Sequence, residues 1–254
     1  MVQLPGVDLL DPRARRQVMS QVRPEVLIHA AWVTDHGDYW SSHLNLDWVT
    51  ASLDLARLFV RSGGRRFVGL GTCAERSSQK SLASDGGLAP SLYGAAKFST
   101  ATVLERFFDE VSVEFVWPRV FFTFGPGEDR RRFVPQLLED LAAGRPTTVT
   151  RPNLVRDILP VQVLGKTLAQ VSVSNITGAM DVGSGKGVSL GDVARILAEL
   201  LAASDLLRLQ PDPTSLAVAP LVADVAALRR EFDSVPTADL REWLGRLVES
   251  WRPS

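Results

Sequence analysis

The stretch Tyr93-Gly94-Ala95-Ala96-Lys97 decides our interpretation of the fold, and it follows Leu70-Gly71-Thr72 along the chain. A tyrosine and a lysine four residues apart on a helix share one face, so we expect the ammonium to lower the pKa of the phenol and to make it a proton donor and acceptor. With two tyrosines and four lysines in the chain, this spacing arises by chance about 0.03 times. An exposed helix with a packed tyrosine and a solvated lysine is the alternative.

Composition limits the classes of function. A chain of 254 residues with 45% apolar residues can build one large domain, with or without a smaller lobe. The net charge of -1 provides no basic face for nucleic acid, although Arg130, Arg131 and Arg132 would suit a phosphate or solvent. The lone Cys73 excludes an intramolecular disulfide framework, and the apolar runs are too short to cross a bilayer. We therefore expect a soluble, cytoplasmic protein with no membrane partner.

Strand-like runs predict an α/β fold around a parallel sheet. They cover residues 25–31, 66–72 and 113–122, and each is followed by a helical pattern. Helices are predicted at residues 11–21, 40–62 and 91–110. In the second helix, an apolar stripe predicts the buried face: Leu46, Val49, Leu53, Ala56 and Val60.

The βα rhythm ends after Gly125-Pro126-Gly127, which predicts a second, smaller lobe. Helices are expected there at residues 133–143 and 189–203, the latter with Ser189 as its N-cap and Asp192 in its first turn. The proline-interrupted run 206–220 predicts a loop or an edge strand. The predicted domains are residues 1–125 and 126–254, and we expect some segments of the second to return to the main sheet.

Taken together, these segments resemble the extended short-chain dehydrogenase/reductases, which include the NAD-dependent epimerases and dehydratases. The resemblance implies a Rossmann-like doubly wound sheet with a C-terminal α/β substrate lobe. Its signals beyond the motif already quoted are Val7 to Asp11, residues 24–31, Asn45, Pro118-Arg119 and Arg156-Asp157. A bacterial subgroup of nucleotide-sugar 4-reductases is similar in further stretches: Ala31-Trp32, His36-Gly37, Asn45 to Trp48, and Gly71-Thr72-Cys73-Ala74-Glu75.

The resemblance implies a role for each matching residue. Thr72 would hydrogen-bond the reacting oxygen, Tyr93 would transfer its proton, and Lys97 would hold the nicotinamide ribose. A cofactor, NAD or NADP, would contact Asp8, Leu9, Ala30, Ala31, Trp32, Tyr93, Lys97 and Pro118. A nucleotide sugar would contact Thr72, Cys73, Phe122 and Arg156.

Departures from the family pattern favour a second hypothesis. No glycine-rich phosphate loop precedes Tyr93, so the chain is expected to lack the first βαβ unit and to leave the strand at residues 25–31 as an edge. Phe122, Phe124 and Gln162 also replace residues common in relatives, and Cys73-Ala74 disfavours dehydration. The wrong choice of Met1 as the start is one explanation. A truncated homologue is another.

Other reactive side chains are given modest roles. Cys73 could transfer a proton, but an isolated thiol is more often a small buried hydrophobe. His29, His36 and His43 recur every seven residues yet share no helical face, so we expect no metal site.

Two principal functions follow from these observations. The first is an NAD(P)-dependent sugar-nucleotide oxidoreductase, a 4-keto reductase or epimerase of an NDP-sugar. The alternative is a non-catalytic truncated homologue that has lost the cofactor and binds a partner; a third reading has another polypeptide supply the nucleotide-binding unit. The resemblance also implies a homodimer through the helices at 40–62 and 91–110.

Overall fold

The structure, a computed structural model, describes residues 6–78, 90–210, 218–232 and 239–251. Helices and strands alternate through most of these ranges. In chain order the elements are α1 (Pro12–Val22), β1 (Val26–His29), α2 (Leu44–Arg61), β2 (Arg66–Gly69), β3 (Gly71–Thr72), a 3₁₀ helix (Cys73–Ser78), α3 (Leu92–Glu110), β4 (Glu114–Val120), β5 (Phe122–Phe124), α4 (Phe133–Ala142), β6 (Thr147–Val149), β7 (Val155–Arg156), β8 (Ile158–Pro160), α5 (Val161–Ser172), β9 (Gly178–Val182), β10 (Val188–Ser189), α6 (Leu190–Leu200), a 3₁₀ helix (Ser204–Leu206), β11 (Leu207–Leu209), α7 (Ala226–Glu231) and α8 (Leu240–Ser250).

The main sheet confirms the predicted α/β class. Its five strands run in the order β1-β2-β4-β3, with β9 pairing with β4. The pairs β1–β2 and β2–β4 are parallel, with Val68 opposite Ile28 on one side and opposite Val116 on the other. Parallel strands need crossover connections, and α2 and α3 supply them. The carboxyl ends of β1 and β2 therefore lie at the same edge of this sheet.

The described residues form two compact units. The first comprises residues 6–78, 90–119 and 171–180. Its core contains Phe59, Phe67, Leu104, Phe108 and Trp117, each at most 1% exposed. Within this unit the buried guanidinium of Arg66 donates to the carbonyls of Val171 and Ile176, which ties the returning segment to β2.

The second unit comprises the described residues within 120–170 and 181–251. Its core lies among α4, α6 and α8, and it includes Leu138, Leu197 and Leu244, each fully buried. Three small two-stranded sheets complete the unit: β5 with β8, β7 with β10, and β6 with β11. The strand β11 lies in the run predicted as a loop or edge strand, of which residues 211–217 fall outside the described ranges.

Local signals position most of the helices. Asp11 caps α1 by accepting a hydrogen bond from the amide of Arg13, and Pro12 occupies the first turn, where its missing N–H costs nothing. Ser189 caps α6 through the amide of Asp192, as predicted. Side-chain oxygens thus satisfy amides that have no partner within their own helix.

The predicted buried face of α2 is correct only in part. Leu46 is 56% exposed, whereas Ala56 is fully buried and Leu53 and Val60 are half-buried against the core of the first unit. Leu55, Phe59 and Ser52, which were not predicted, are also buried. This helix has apolar residues on more than one side, so periodicity alone did not define the centre of the buried face.

Candidate active site

The first turns of α3 carry Tyr93 and Lys97. Ser91 starts the helix by accepting a hydrogen bond from the amide of Gly94 at 3.1 Å. Gly94, Ala96 and Lys97 are buried on one side of the helix. The four-residue spacing therefore places the tyrosine and the lysine on the same buried side, and the alternative of a solvated lysine is wrong.

Thr72 lies beside Tyr93. It ends β3, is 9% exposed, and its side chain hydrogen-bonds the phenol of Tyr93. Burial raises the pKa of Tyr93 well above its usual value, and the bond to Thr72 only partly offsets that effect. The expectation that Lys97 lowers this pKa is wrong, because desolvation of the phenolate outweighs every favourable interaction. At neutral pH Tyr93 therefore holds its proton.

Lys97 is a buried cation with one hydrogen-bond acceptor among the described residues. It is 4% exposed, and its Nζ donates to the carbonyl oxygen of Leu70 at 2.7 Å. The ammonium also lies 3.9 Å from the ring centroid of Trp32. Burial lowers the pKa of Lys97 to about 7, and the negative charge of Glu75 works in the opposite direction.

Glu75 is a member of the site that the sequence analysis did not single out. It is 2% exposed, and its Oε1 accepts hydrogen bonds from the amide of Thr72 at 2.8 Å and from the indole of Trp117 at 2.9 Å. Burial raises the pKa of Glu75 to about 7. A carboxylate three residues after Thr72 was the available signal, but only the folded chain shows that it turns inward.

Trp32 is held by hydrogen bonds and packing. Its indole donates to Oδ1 of the fully buried Asn45 at 2.8 Å, and its ring stacks on Trp48 with centroids 6.1 Å apart. The amide of Asn45 donates in turn to the carbonyls of Tyr39 and Ser42. Asn45 therefore shapes the loop after β1 and fixes the ring that covers Lys97.

His29 lies on the last residue of β1 and is fixed in the neutral form. Its Nε2 is 2.8 Å from the hydroxyl of Ser52, and burial together with the positive charge of Lys97 lowers its pKa to about 3. A neutral imidazole at this point adds no positive charge next to the lysine.

The remaining predicted cofactor contacts are spread over the first unit. Asp8 and Leu9 precede α1, where the carboxylate of Asp8 accepts from the amide of Leu10 and the carbonyl of Leu9 accepts from Arg15. Ala30 is exposed and follows the carboxyl end of β1, whereas Pro118 is buried within β4. The contacts of Asp8, Leu9, Ala30 and Pro118 with a cofactor therefore stay predictions.

Ala31 and Cys73 differ in their access to solvent. Ala31 is half-buried in the loop after β1. Cys73 follows Thr72 and is 6% exposed, which suits a small buried hydrophobe better than a proton-transfer group.

In the second unit, Phe122 and Arg156 line one cavity of about 160 Å³. The guanidinium of Arg156 lies 5.6 Å from the ring centroid of Phe122, and its Nη1 donates to the carbonyl of Val155. Glu128 and Arg132 form an ion pair at 2.8 Å on the same cavity. An aromatic ring and two guanidiniums suit a ligand that combines a planar ring with phosphate.

Asp157, the residue after Arg156, has a structural role. It is fully buried and accepts hydrogen bonds from the amides of Ser184, Gly185 and Ala223 and from the hydroxyl of Ser184. The glycine-rich run at 183–187 connects β9 to β10 and could resemble a phosphate loop. Because the carboxylate of Asp157 already accepts hydrogen bonds from two amides of the run, those of Ser184 and Gly185, we assign no phosphate to it.

Comparison of the sequence with models of protein families shows which family the chain belongs to. The model of the NAD dependent epimerase/dehydratase family matches residues 2–162. The chain belongs to this family. No curated protein sequence matches it significantly.

Solved structures of this epimerase/dehydratase type share its Rossmann fold. UDP-glucose 4-epimerase from Thermotoga maritima, solved with UDP-glucose, matches with a TM-score of 0.79 and 19% identity, over 95% of this chain and 82% of that one. UDP-N-acetylglucosamine 4-epimerase from Methanobrevibacter ruminantium, solved with UDP-N-acetylmuramic acid, matches with a TM-score of 0.81 and 20% identity, over 95% and 80%. RMD from Pseudomonas aeruginosa, solved with NADPH, matches with a TM-score of 0.82 and 15% identity, over 98% and 88%.

The described residues of this epimerase/dehydratase family member include no helix that is both long enough and apolar enough to span a membrane. Members of the family use a nicotinamide cofactor, and the residues around Lys97 fit one end of it. An ammonium carries three N–H donors, and the only acceptor for Lys97 in the described parts of the chain is Leu70, which leaves donors for a ribose diol.

Proposed function

We propose that this protein is an NAD(P)-dependent sugar-nucleotide oxidoreductase that reduces a 4-keto sugar. The observation that carries the proposal is the convergence of Thr72, Tyr93 and Lys97 within the first unit, with a hydrogen bond between Thr72 and Tyr93. The family membership and the ligands of the solved neighbours support the choice of cofactor and substrate class.

Each side chain has a task in this proposal. The Thr72 hydroxyl donates a hydrogen bond to the keto oxygen, and the neutral phenol of Tyr93 gives that oxygen its proton. The Lys97 ammonium binds the ribose hydroxyls of the cofactor. A reduced nicotinamide, when bound, would supply the hydride for the carbonyl carbon. The proton on Tyr93 is then replaced from solvent.

The second unit would bind the nucleotide part of the substrate. Phe122 offers a ring face, and Arg132 and Arg156 offer guanidiniums to phosphate oxygens at the same cavity. Arg156 is 5% exposed, so its charge is little screened by solvent. The proposal therefore assigns the nucleotide part of the substrate to this cavity of the second unit.

Substitution of Tyr93 tests the proposed reaction. Tyr93→Phe should abolish reduction of a 4-keto nucleotide sugar, because phenylalanine has no proton to give, while NADH or NADPH binding stays within about threefold of the unchanged protein. Phe107→Tyr, a half-buried change on the same helix, is the matched control and should keep full turnover. Undiminished turnover by Tyr93→Phe would end the assignment.

A partner-binding function without catalysis is the second candidate. The observation that favours it is β1, an edge strand of the main sheet among the described residues, on which Val26 and Ile28 are 40% and 38% exposed. Exposed apolar side chains on an edge strand favour pairing with another strand. A folded protein that binds neither NADH nor NADPH, but shifts to a larger mass that Ile28→Lys reverses, would favour this function over the first.

A further inference from the structure

Glu75 is a buried carboxyl group that the proposed reaction does not use. It lies in the 3₁₀ turn after β3, and only 2% of its surface is exposed. Burial of a carboxyl group is costly unless hydrogen bonds or opposite charge compensate. Its Oε1 has two such bonds, one from the backbone amide of Thr72 and one from the indole of Trp117.

The backbone at Gly71 makes this arrangement possible. A Cβ atom at that position would lie 2.3 Å from Nε1 of Trp117 and 2.7 Å from Oε1 of Glu75. Both distances are shorter than any normal contact, so the indole and the carboxyl group can meet there only above a glycine. The residue before Thr72 therefore has to lack a side chain for Trp117 and Glu75 to pack against it.

Trp117 also connects Glu75 to the lysine of the site. The ammonium of Lys97 lies 5.7 Å from the centroid of the same indole whose N–H donates to Glu75. An ammonium is attracted to an indole face, and a carboxylate to its N–H edge. The ammonium of Lys97 therefore faces the negative ring surface of Trp117, and the carboxyl group of Glu75 accepts from its positive N–H edge.

The titratable groups that interact with Glu75 or Lys97 lie on three elements. Glu75 interacts electrostatically with Lys97 and Tyr93 on α3 and with Arg119 on β4, while His29 on β1 interacts with Lys97. His29 is neutral and Tyr93 keeps its proton at neutral pH. Within the part of the chain that the structure describes, Glu75 is thus the acid that acts on Lys97.

We propose that Glu75 is a positioning residue of the candidate active site, which holds the backbone of Thr72 in place and keeps the ammonium of Lys97 charged. The positioning role rests on the proposed function, because it requires that Thr72 and Lys97 act on a substrate and a cofactor. The electrostatic coupling between Glu75 and Lys97 is independent of that function. Burial drives both groups towards their neutral forms, and each favours the charged form of the other.

Lysine NMR measures the coupling directly. The chain has only four lysines, at positions 80, 97, 166 and 186, so the ¹³Cε signals of lysine-labelled protein can be assigned with Lys97→Met. Glu75→Gln keeps an acceptor oxygen for Thr72 and Trp117 but removes the charge. We expect the midpoint of the Lys97 titration to fall by about one to three pH units. The control is Glu110→Gln, an exposed change on α3, the helix of Lys97, and it should leave the Lys97 titration unchanged.

The unchanged protein provides a second test in case Glu75→Gln does not fold. A coupled pair titrates together, so the side-chain carboxyl signal of Glu75 and the ¹³Cε signal of Lys97 should both move near pH 7. A Lys97 signal that titrates in one step, with no second inflection at the midpoint of Glu75, would overturn the proposal. So would an unaltered Lys97 titration in folded Glu75→Gln. Neither measurement needs cofactor or substrate, so its failure is separate from failure of the proposed reaction.

Discussion

Asp157 offers the most quantitative test of the second unit. Its Oδ1 accepts from the amide and the hydroxyl of Ser184 at 2.8 and 2.6 Å, and its Oδ2 accepts from the amides of Gly185 and Ala223 at 2.8 and 3.2 Å. Asp157→Asn keeps the shape and replaces one of these oxygens with an NH₂ group. Whichever way the amide turns, its NH₂ group faces at least one backbone N–H.

The cost follows from the number of donors that lose their acceptor. Each orphaned buried donor costs about 1–3 kcal/mol, and the hydrogen bonds that remain lose their charged acceptor. When the NH₂ group faces Ser184, one amide is orphaned, because the serine hydroxyl can turn and accept. In the other orientation, Gly185 and Ala223 both lose their acceptor. We expect a loss of about 2–4 kcal/mol in the free energy of unfolding, or roughly 4–16 °C in Tm for a chain of this size.

Thermal unfolding followed by far-UV circular dichroism measures this loss. Asp140→Asn is the matched control, because the carboxylate of Asp140 also accepts hydrogen bonds, but its donor is Arg145 and that ion pair lies at the surface. Surface pairs contribute at most about 1 kcal/mol. A Tm for Asp157→Asn no lower than that of Asp140→Asn would refute the reasoning that Asp157 organises the run at 183–187.

Three other predictions concern the first unit. Gly71→Ala should lower Tm by several degrees, since its Cβ would overlap Trp117 and Glu75, and near-wild-type stability would show that the backbone can move away. The buried His29 should lower the stability of the protein below pH 6.5, because its pKa of about 3 in the folded state means that the unfolded state binds the proton first. Unfolding scans should therefore show that His29→Gln loses less stability between pH 6.5 and 4 than the unchanged protein. An equal loss in both proteins would contradict this. The absorbance change of phenolate formation that Tyr93→Phe removes should occur at a higher pH than that of an exposed tyrosine, and a change at the pH of an exposed tyrosine would contradict the effect of burial.

The sequence predicted the elements whose signals are local. The helix predicted at residues 91–110 and the four-residue spacing from Tyr93 to Lys97 are properties of neighbouring residues, and both are found in the structure. The strands β1 and β2 were likewise readable, because each is a short apolar run bounded by polar residues or glycine.

The parts that could not be predicted depend on residues distant in the sequence. Glu75 meets Trp117, forty-two positions later, and no local pattern shows that contact. The pKa of Tyr93 was misjudged for the same reason, because spacing reveals the lysine but not the depth of burial. The exposed Leu46 on α2 shows that a helical period gives a face without saying which neighbour covers it.

Cofactor binding tests the central claim most directly. The purified protein is titrated into NADH and, separately, NADPH while the nicotinamide fluorescence is followed, with an equal mass of an unrelated protein as the control. The proposed function predicts saturable binding in the micromolar range to one of the two, weakened at least tenfold in Lys97→Met because the ammonium that would bind the ribose is gone. Absence of saturable binding to either nucleotide by the folded protein would contradict it.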